Sequence, residues 1–530
     1  MKAEGRCPMT ITRRQSLKLA LSGAALAVLG APPLLAQTSG NTLRANMNDT
    51  LRFDPHMLAS YPTRNASYLT FDTLFAMDSR GNYRPQMVET FEIAPDHKKF
   101  SFKLRPGLAW HNGRPVRAAD CVASIRRWMK RDGIGQMIHA QLVSLDAEGD
   151  DSFTLTLKEP SGIILQAFGK SSSVVPFMMP AEDAMKDDLG ADYRPLGSGP
   201  FIFNKAEYQP GNRTVWDKNP HYVPRREPAD FLAGGKRVFL DRVEWVTFPN
   251  PNSAIAALQA GEIDYMEWVD YDNVDTLQGD DNVRILNVDP IGKQGYLRMN
   301  HAVPPFSDPQ MRRAMLYATD QETYLRAITG NHAQFFEACQ AFFFCGMPLA
   351  TDVGAASFDL AKARALIANG HYDGKPIKVF QATDIPTNKV GSLVMTQQAQ
   401  KAGFKVEPLP LDLATLLERR RDRNAWNLQW GYIESFDGAS PLSNPYFRAN
   451  CDNAMPGWPC DGKLEELRAA FARATDPSAQ KALVARLQVR AYEILPYIPT
   501  GQYRIPSAVR RNVKDVLISG VPVFWNLKKT

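Results

Sequence analysis

Few residues of this chain have the type and spacing to do covalent chemistry. The sequence holds no H-E-x-x-H, no G-x-S-x-G and no phosphate-cradling G-x-x-x-x-G-K. Gly197-Ser198-Gly199 is too short for a nucleophile elbow and reads as a turn. The eight histidines are scattered without ligand spacing. His111 sits in a Trp-His-Asn-Gly turn, which gives it a structural role. His56 could line a cleft, although a solvated histidine is commoner. No catalysis, no cofactor and no resident metal is expected. The aromatic residues say more. Trp426, Leu428, Trp430 and Tyr432 alternate along a predicted strand, and Phe436 and Trp458 follow. Apolar alternation usually means strand core. Ligand pockets, however, are also mostly apolar and aromatic with a few placed polar groups. The basic run Glu418–Arg423 follows an apolar helix segment and reads as its solvated end, where cations suit the helix dipole.

The elements that must position these residues alternate between strand and helix. Phe100, Phe102 and Leu104 alternate with polar residues, as do Phe153, Leu155 and Leu157, so both segments read as half-buried strands. Asp308-Pro309 opens a helix with Met311, Met315 and Ala318 on one face. Asp476-Pro477 repeats the device, with Leu483, Leu487 and Ile494 as the expected buried stripe and Pro496 as the stop. Leu360, Ala363 and Ile367 mark another helix, with Gly370 as its cap. The fold class is α/β.

The chain has 530 residues, enough for two or three domains. Apolar content is 44% and charged content 22%, as in ordinary globular proteins. No uninterrupted apolar stretch is long enough to span a membrane. Residues 1–36 read as an export signal: Arg13-Arg14, an apolar run from Leu19 to Gly30, then Pro32, Pro33 and Ala36. The twin arginine suggests the twin-arginine route, although Ser16 stands where that motif usually has Phe. Cleavage is expected after Ala36, and without a Cys there no lipid anchor is expected. The segment carries +4 of the chain's +6, leaving +2 for the mature part. That balance gives no reason to invoke nucleic acid. In an oxidising compartment, Cys339 with Cys345 and Cys451 with Cys460 suggest two short-loop disulfides, while Cys121 reads as a buried thiol. A metal site from the four paired cysteines would lack C-x-x-C spacing.

Several motifs recur in one order. They are Leu51–His56, Phe100–Val116 running into Ala118–Ser124, Leu196–Phe201, Lys218–Tyr222, Ala256–Tyr265 and Pro304–Ala318. The ordered set, spanning Asn41 to Pro522, resembles extracellular solute-binding proteins of the dipeptide, oligopeptide and nickel class, solute-binding protein family 5. The resemblance implies a two-lobed periplasmic-binding-protein clamshell of cluster C type with an inserted subdomain. Lobe I would comprise residues 37–75, 186–295 and 500–530, the subdomain 76–185 and lobe II 296–499. Hinge crossings would lie near Gly292–Gly295 and at Thr500-Gly501.

It also implies a function: capture of a small molecule, a peptide or peptide-like solute first, by clamshell closure and delivery to the permease of an ABC importer. Binders of an opine, an oligosaccharide, chelated nickel or haem share the fold, and so would a periplasmic ligand sensor. A soluble periplasmic monomer is expected. In the family the strand carrying Trp430 ends at the cleft, which makes Trp430, Tyr432 and Glu434 candidates for ligand contact and Trp426 a core residue. Peptide-binding members place an Asp three residues beyond the position matching Trp430. Here Ile433 stands there, and alternation turns Glu434 to the opposite face unless a bulge restores it. Asp437 is a further candidate. From the other lobe, Tyr61 and Arg64 would face the cleft, Arg64 as a partner for a ligand carboxylate.

Overall fold

A computed structural model describes residues 41–530, apart from positions 51, 58, 59, 173 and 331. The expected export signal and Leu51 of the first motif lie outside the described residues. No helix among those described is long and apolar enough to cross a membrane.

Two large sheets organise the chain. In the seven-stranded sheet the order is Val283–Leu286, Ser507–Arg510, Tyr265–Met266, Thr42–Asn46, Arg242–Val246, Arg213–Lys218 and Phe201–Phe203. Thr42–Asn46 runs parallel to both its neighbours. Leu43, Ala45, Trp216, Val243, Trp245 and Phe524 are buried together beside it. The six-stranded sheet runs Phe336–Glu337, Ile498–Tyr503, Lys293–Met299, Leu428–Glu434, Ile377–Ala382 and Val406–Leu411. A separate four-stranded antiparallel sheet pairs Val88–Ile93, Lys99–Leu104, Ser152–Leu157 and Leu142–Glu148. Phe100, Phe102, Phe153 and Leu155 fill its inner face, and Ile125 and Trp128 of helix Ala118–Met129 belong to the same core.

The helix signals act as their chemistry dictates. Asp308 accepts the Gln310 N–H at 2.8 Å and Asp476 accepts that of Ala479 at 2.8 Å, each ahead of a proline in the first turn. In helix Pro477–Ile494 the buried stripe is Val484, Leu487, Gln488, Ala491 and Tyr492, while Leu483 and Ile494 are only half-buried. The helical period rotates the expected stripe by about one position. Gly370 follows helix Leu360–Asn369 in extended backbone, and a side chain there would collide with Met311. Gly261 ends helix Pro251–Ala260 at φ 80°, left-handed, and releases the chain into the strand at Tyr265.

Lys293–Met299 is buried at all seven positions, so its polar side chains must find partners inside. Arg298 donates to the carbonyls of Pro456, Tyr446, Pro496 and Met455 at 2.8–3.0 Å. Burial still lowers its guanidinium to about 10. Both expected disulfides form, Cys339–Cys345 and Cys451–Cys460, and Cys121 is buried with its thiol pushed up by burial. The chain passes from the seven-stranded to the six-stranded sheet through residues 287–292 and returns through 504–506; Thr500 and Gly501 lie inside a strand.

Replacing Arg298 by Met would leave buried carbonyls without donors, at about 1–3 kcal/mol for each. Urea unfolding of Arg298→Met should show at least that loss; an unchanged midpoint would mean the carbonyls find other donors.

Candidate functional site

The charged residues of the two large sheets converge at one place. A cavity of about 40 Å³ is lined by Tyr61 and Arg64 from helix Tyr61–Thr70, and by Glu267 and Trp268 just beyond strand Tyr265–Met266. Asp289 and Gly292 of the passage between sheets also line it, as do Lys293 and Glu434 from the six-stranded sheet. Gly292 has φ 78°, and a Cβ there would strike the Tyr503 carbonyl, so the passage needs glycine.

Lys293 is the centre of this cluster. It stands opposite Glu434 across the ladder, and its Nζ lies 3.0 Å from Glu434 Oε1. The same Nζ lies 4.1 Å from the Trp268 ring centroid and 4.3 Å from that of Tyr432. Burial opposes the Lys293 charge, yet Glu434, Tyr432 and Glu267 together hold its pKa above the ordinary lysine value. Tyr61 stacks on Trp268 at 4.9 Å, and burial with nearby Glu267 and Glu434 pushes its phenol up.

Glu267 is the other unusual group. Its Oε1 accepts from Asn65 Nδ2 at 3.0 Å, while Oε2 is buried without a hydrogen-bond partner. Burial pushes its carboxyl up to about 7, against the opposing pull of Lys293 and Arg64. Arg64 donates from Nε and Nη2 to Asn65 Oδ1 at 3.2 and 3.1 Å. Asn65 therefore links the guanidinium to the carboxyl through one amide. Asp289 is raised to about 6 by burial, although it accepts the Ile291 and Gly292 N–H groups at 3.1 and 3.0 Å. The cavity thus offers cations, the Glu434 carboxylate paired with Lys293, two carboxyls raised by burial, Glu267 and Asp289, and aromatic faces. No group of three or more His, Cys, Asp or Glu among the described residues is placed to hold a metal ion.

The sequence-derived candidates separate here. Tyr61, Arg64 and Glu434 line the cavity, and Tyr432 packs on Lys293 at its edge. Ile433 is buried on the opposite face, so Glu434 reaches the cavity because it shares a face with Trp430 and Tyr432 without any bulge in the ladder to Lys293–Met299. Trp430 is placed in the core, 2% exposed: its indole covers Gly391 and Gly295 and donates to Thr500 Oγ1 at 3.0 Å. Trp426 is core as expected, beside Phe380 and Leu416. Asp437 is half-buried in the turn after the strand, where its N–H donates to the Glu434 carbonyl at 3.0 Å. His111 is structural, within 3.1 Å of the Gly199 carbonyl. His56 is fully buried, lowered to about 3 by burial and by Arg127 and Arg131.

Glu267, Trp268 and Lys293 were not singled out from the sequence. The strand that Lys293 opens also carries Gln294 and Arg298 beside Tyr296, Leu297 and Met299, so no local pattern marks the lysine. A larger cavity, about 610 Å³, lies between residues 77–172 and residues 347–481. Phe436 lines it, and Gly520, which lines the small cavity, packs against the Phe436 ring.

Comparisons with known proteins agree with one another. The family model described as bacterial extracellular solute-binding proteins, family 5 Middle, matches residues 82–453. A Sinorhizobium fredii protein named a probable peptide ABC transporter periplasmic-binding protein is 34% identical over 98% of this chain and 100% of its own. The A. tumefaciens binding protein AgaA, solved with agropinic acid, superposes with TM-score 0.75 at 22% identity over 92% of this chain and 99% of that one. NikZ of Campylobacter jejuni, solved with Ni(L-His), gives TM-score 0.75 at 18% identity over 93% and 100%. At these identities the two solved structures speak to the fold, which is the two-lobed α/β fold of periplasmic binding proteins.

Glu434→Ala would strand the Lys293 ammonium and should cost about 3–5 kcal/mol in denaturant unfolding, whereas Lys293→Met with Glu434→Leu should recover most of that loss. Equal losses in both would show that the pair is not the stabilising element. For Glu267 the folded carboxyl sits at about 7 against an ordinary 4.5, so the native state holds the proton more tightly. Its contribution to stability therefore falls as pH rises from about 4.5 to about 7. Glu267→Gln should flatten that fall in melts run across the window; an unaltered profile would assign the slope to other groups.

Proposed function

The chain belongs to the bacterial extracellular solute-binding proteins of family 5, and from that premise we propose how it works. It is a periplasmic solute-binding protein that captures a small molecule and delivers it to an ABC importer. In the proposed mechanism lobe I, built from residues 37–75, 186–295 and 500–530, closes on lobe II, residues 296–499, with residues 76–185 as the inserted subdomain. Ligand contacting both lobes favours the closed state by its differential affinity. The permease then reads the closed form. The protein acts as a monomer, is exported by the twin-arginine route and releases its solute chemically unchanged.

The observation that carries this reading is the convergence of both large sheets on one charged, aromatic cavity. A site assembled from two sheets is completed only when they approach, which couples occupancy to lobe position. A peptide or peptide-like solute suits the mix of Arg64, Glu267, Glu434, Tyr61 and Trp268. Its head group would sit in the small cavity and its body would extend past Phe436 into the larger one.

The test is native mass spectrometry of the mature protein purified from the periplasm without refolding. A stoichiometric adduct, released on denaturation, is the expected result, and its mass reports the solute class. A protein that carries no solute, and that no peptide, opine or sugar stabilises against heat, would overturn the reading.

A further inference from the structure

We propose that the Cys339–Cys345 disulfide is a redox-sensitive brace on the two passages that join the large sheets, opened by thiol–disulfide exchange at Cys345. The brace stands on the passages themselves; only its consequence for lobe closure rests on the binding-protein reading above.

The disulfide closes a loop that bears on both passages. Gln502, in the strand that leads into residues 504–506, donates from Nε2 to the Ile291 carbonyl at 2.5 Å and to the Cys345 carbonyl at 3.2 Å. Ile291 belongs to the other passage, so one amide ties the two passages to Cys345. The Oε1 of Gln502 is buried without a partner, which leaves Nε2 as the anchor of that amide. Gln294, second in the strand that follows residues 287–292, donates to the Ala341 carbonyl inside the loop at 2.8 Å. Arg504 completes the joint: its Nε donates to the Pro290 carbonyl at 2.6 Å and its Nη2 pairs with Glu337 at 2.9 Å.

The two ends of the loop are held unequally. Cys339 exchanges hydrogen bonds with Gln321, its N–H donating to Oε1 at 2.8 Å and its carbonyl accepting from Nε2 at 2.9 Å. Phe342 donates its N–H to Gln488 Oε1 at 3.1 Å, and its carbonyl accepts the Tyr497 hydroxyl at 3.0 Å. Cys345 is half-buried and is tied back by the S–S bond and by Gln502, and beyond it Gly346 and Pro348 are exposed. Opening the bond therefore frees the end of the loop that meets the passages.

The same asymmetry decides which sulfur is attacked. Cys345 lines a cavity of about 510 Å³ together with Pro290, Ile291 and Arg504, whereas Cys339 is 1% exposed. The Cys345 N–H donates to Cys339 Sγ at 3.2 Å, and Gln294 Nε2 lies 3.9 Å from the same sulfur. Such donors stabilise a thiolate more than a neutral sulfur, which makes Cys339 the better leaving group. The thiolate of an external dithiol attacks Cys345 Sγ, the bond to Cys339 breaks, and Cys339 leaves as a thiolate that takes up a proton. The second thiolate of the dithiol then attacks the mixed disulfide and releases Cys345, which is protonated in turn. The dithiol ends as a disulfide, and two electrons have passed to the protein. In the closure proposed above the lobes turn about these passages, so reduction loosens that motion.

The mature full chain is treated with dithiothreitol under native conditions, opened cysteines are trapped with iodoacetamide and located by mass spectrometry, and amide hydrogen exchange is followed in the same samples. Cys339 and Cys345 should both be labelled while the far-ultraviolet circular dichroism is kept. Amides of residues 287–294 and 500–506 should then exchange about tenfold faster, as expected for local opening that has lost one or two hydrogen bonds. Strand Lys99–Leu104 should keep its rates. Dithiothreitol also reaches the exposed Cys451–Cys460 bridge, so Cys339→Ser with Cys345→Ser, which keeps that bridge, should show the same acceleration without reductant. If that variant does not fold, Cys451→Ser with Cys460→Ser, treated with dithiothreitol, decides instead. A disulfide that opens only as the protein unfolds, passages that keep their rates once it is open, or acceleration spread over the whole chain would overturn the brace. Each of these leaves the binding-protein reading standing, since none of the measurements involves a solute.

Discussion

An ammonium shut away from water must be neutralised where it stands, and Lys293 imposes that demand at the junction of the two large sheets. Its neutralising groups come from separate parts of the chain: Glu434 and Tyr432 from the neighbouring strand, Trp268 from the end of a strand in the other sheet. Satisfying one charge therefore fixes the relative approach of three segments. The surrounding features follow from it. Tyr61 stacks on Trp268, Asn65 holds Glu267, and Arg64 is drawn to the same amide. A cavity with this charge pattern exists because these groups have to face one another.

The same rule is repeated through the interior. Asp54 pairs with Arg127, Asp72 with Lys236, and Asp132 with Lys170, each pair almost wholly buried. Partners in these pairs lie between 38 and 164 residues apart in sequence. Arg298 solves the problem differently, with backbone carbonyls in place of an acid. Removing one partner from such a pair is costly, so they act as registry marks between segments more than as sources of net stability. They hold each sheet and its helices firm, while the small cavity between the sheets keeps a carboxyl, Glu267, with an oxygen unsatisfied.

Much of the architecture could be read before any coordinates. The alternation of Phe100, Phe102 and Leu104 and the Asp-Pro helix openings are local signals. They depend on neighbours within a few residues, and they appear as read. The two cysteine pairs lie only 6 and 9 residues apart, close enough for short-loop bridges. The stripe of helix Pro477–Ile494 was misplaced by about one position, since 3.6-residue periodicity fixes a face but not what covers it. Trp430 and Tyr432 share a strand face, and pattern alone could not tell that helix Pro386–Ala402 covers one through Gly391 while the other reaches Lys293.

By itself, then, the sequence determined the α/β class, the family and the face on which Tyr432 and Glu434 lie, because motifs, caps and strand alternation are short-range properties. Only the tertiary structure decided which charges meet. Glu267 and Trp268 gain their meaning from Lys293 and Arg64, residues far from them along the chain and on other elements. An ion pair or a cation over an aromatic ring depends on separations of a few ångströms, and no linear pattern encodes such a distance. The sequence supplied the charged groups; folding chose their partners and left Glu267 Oε2 without one.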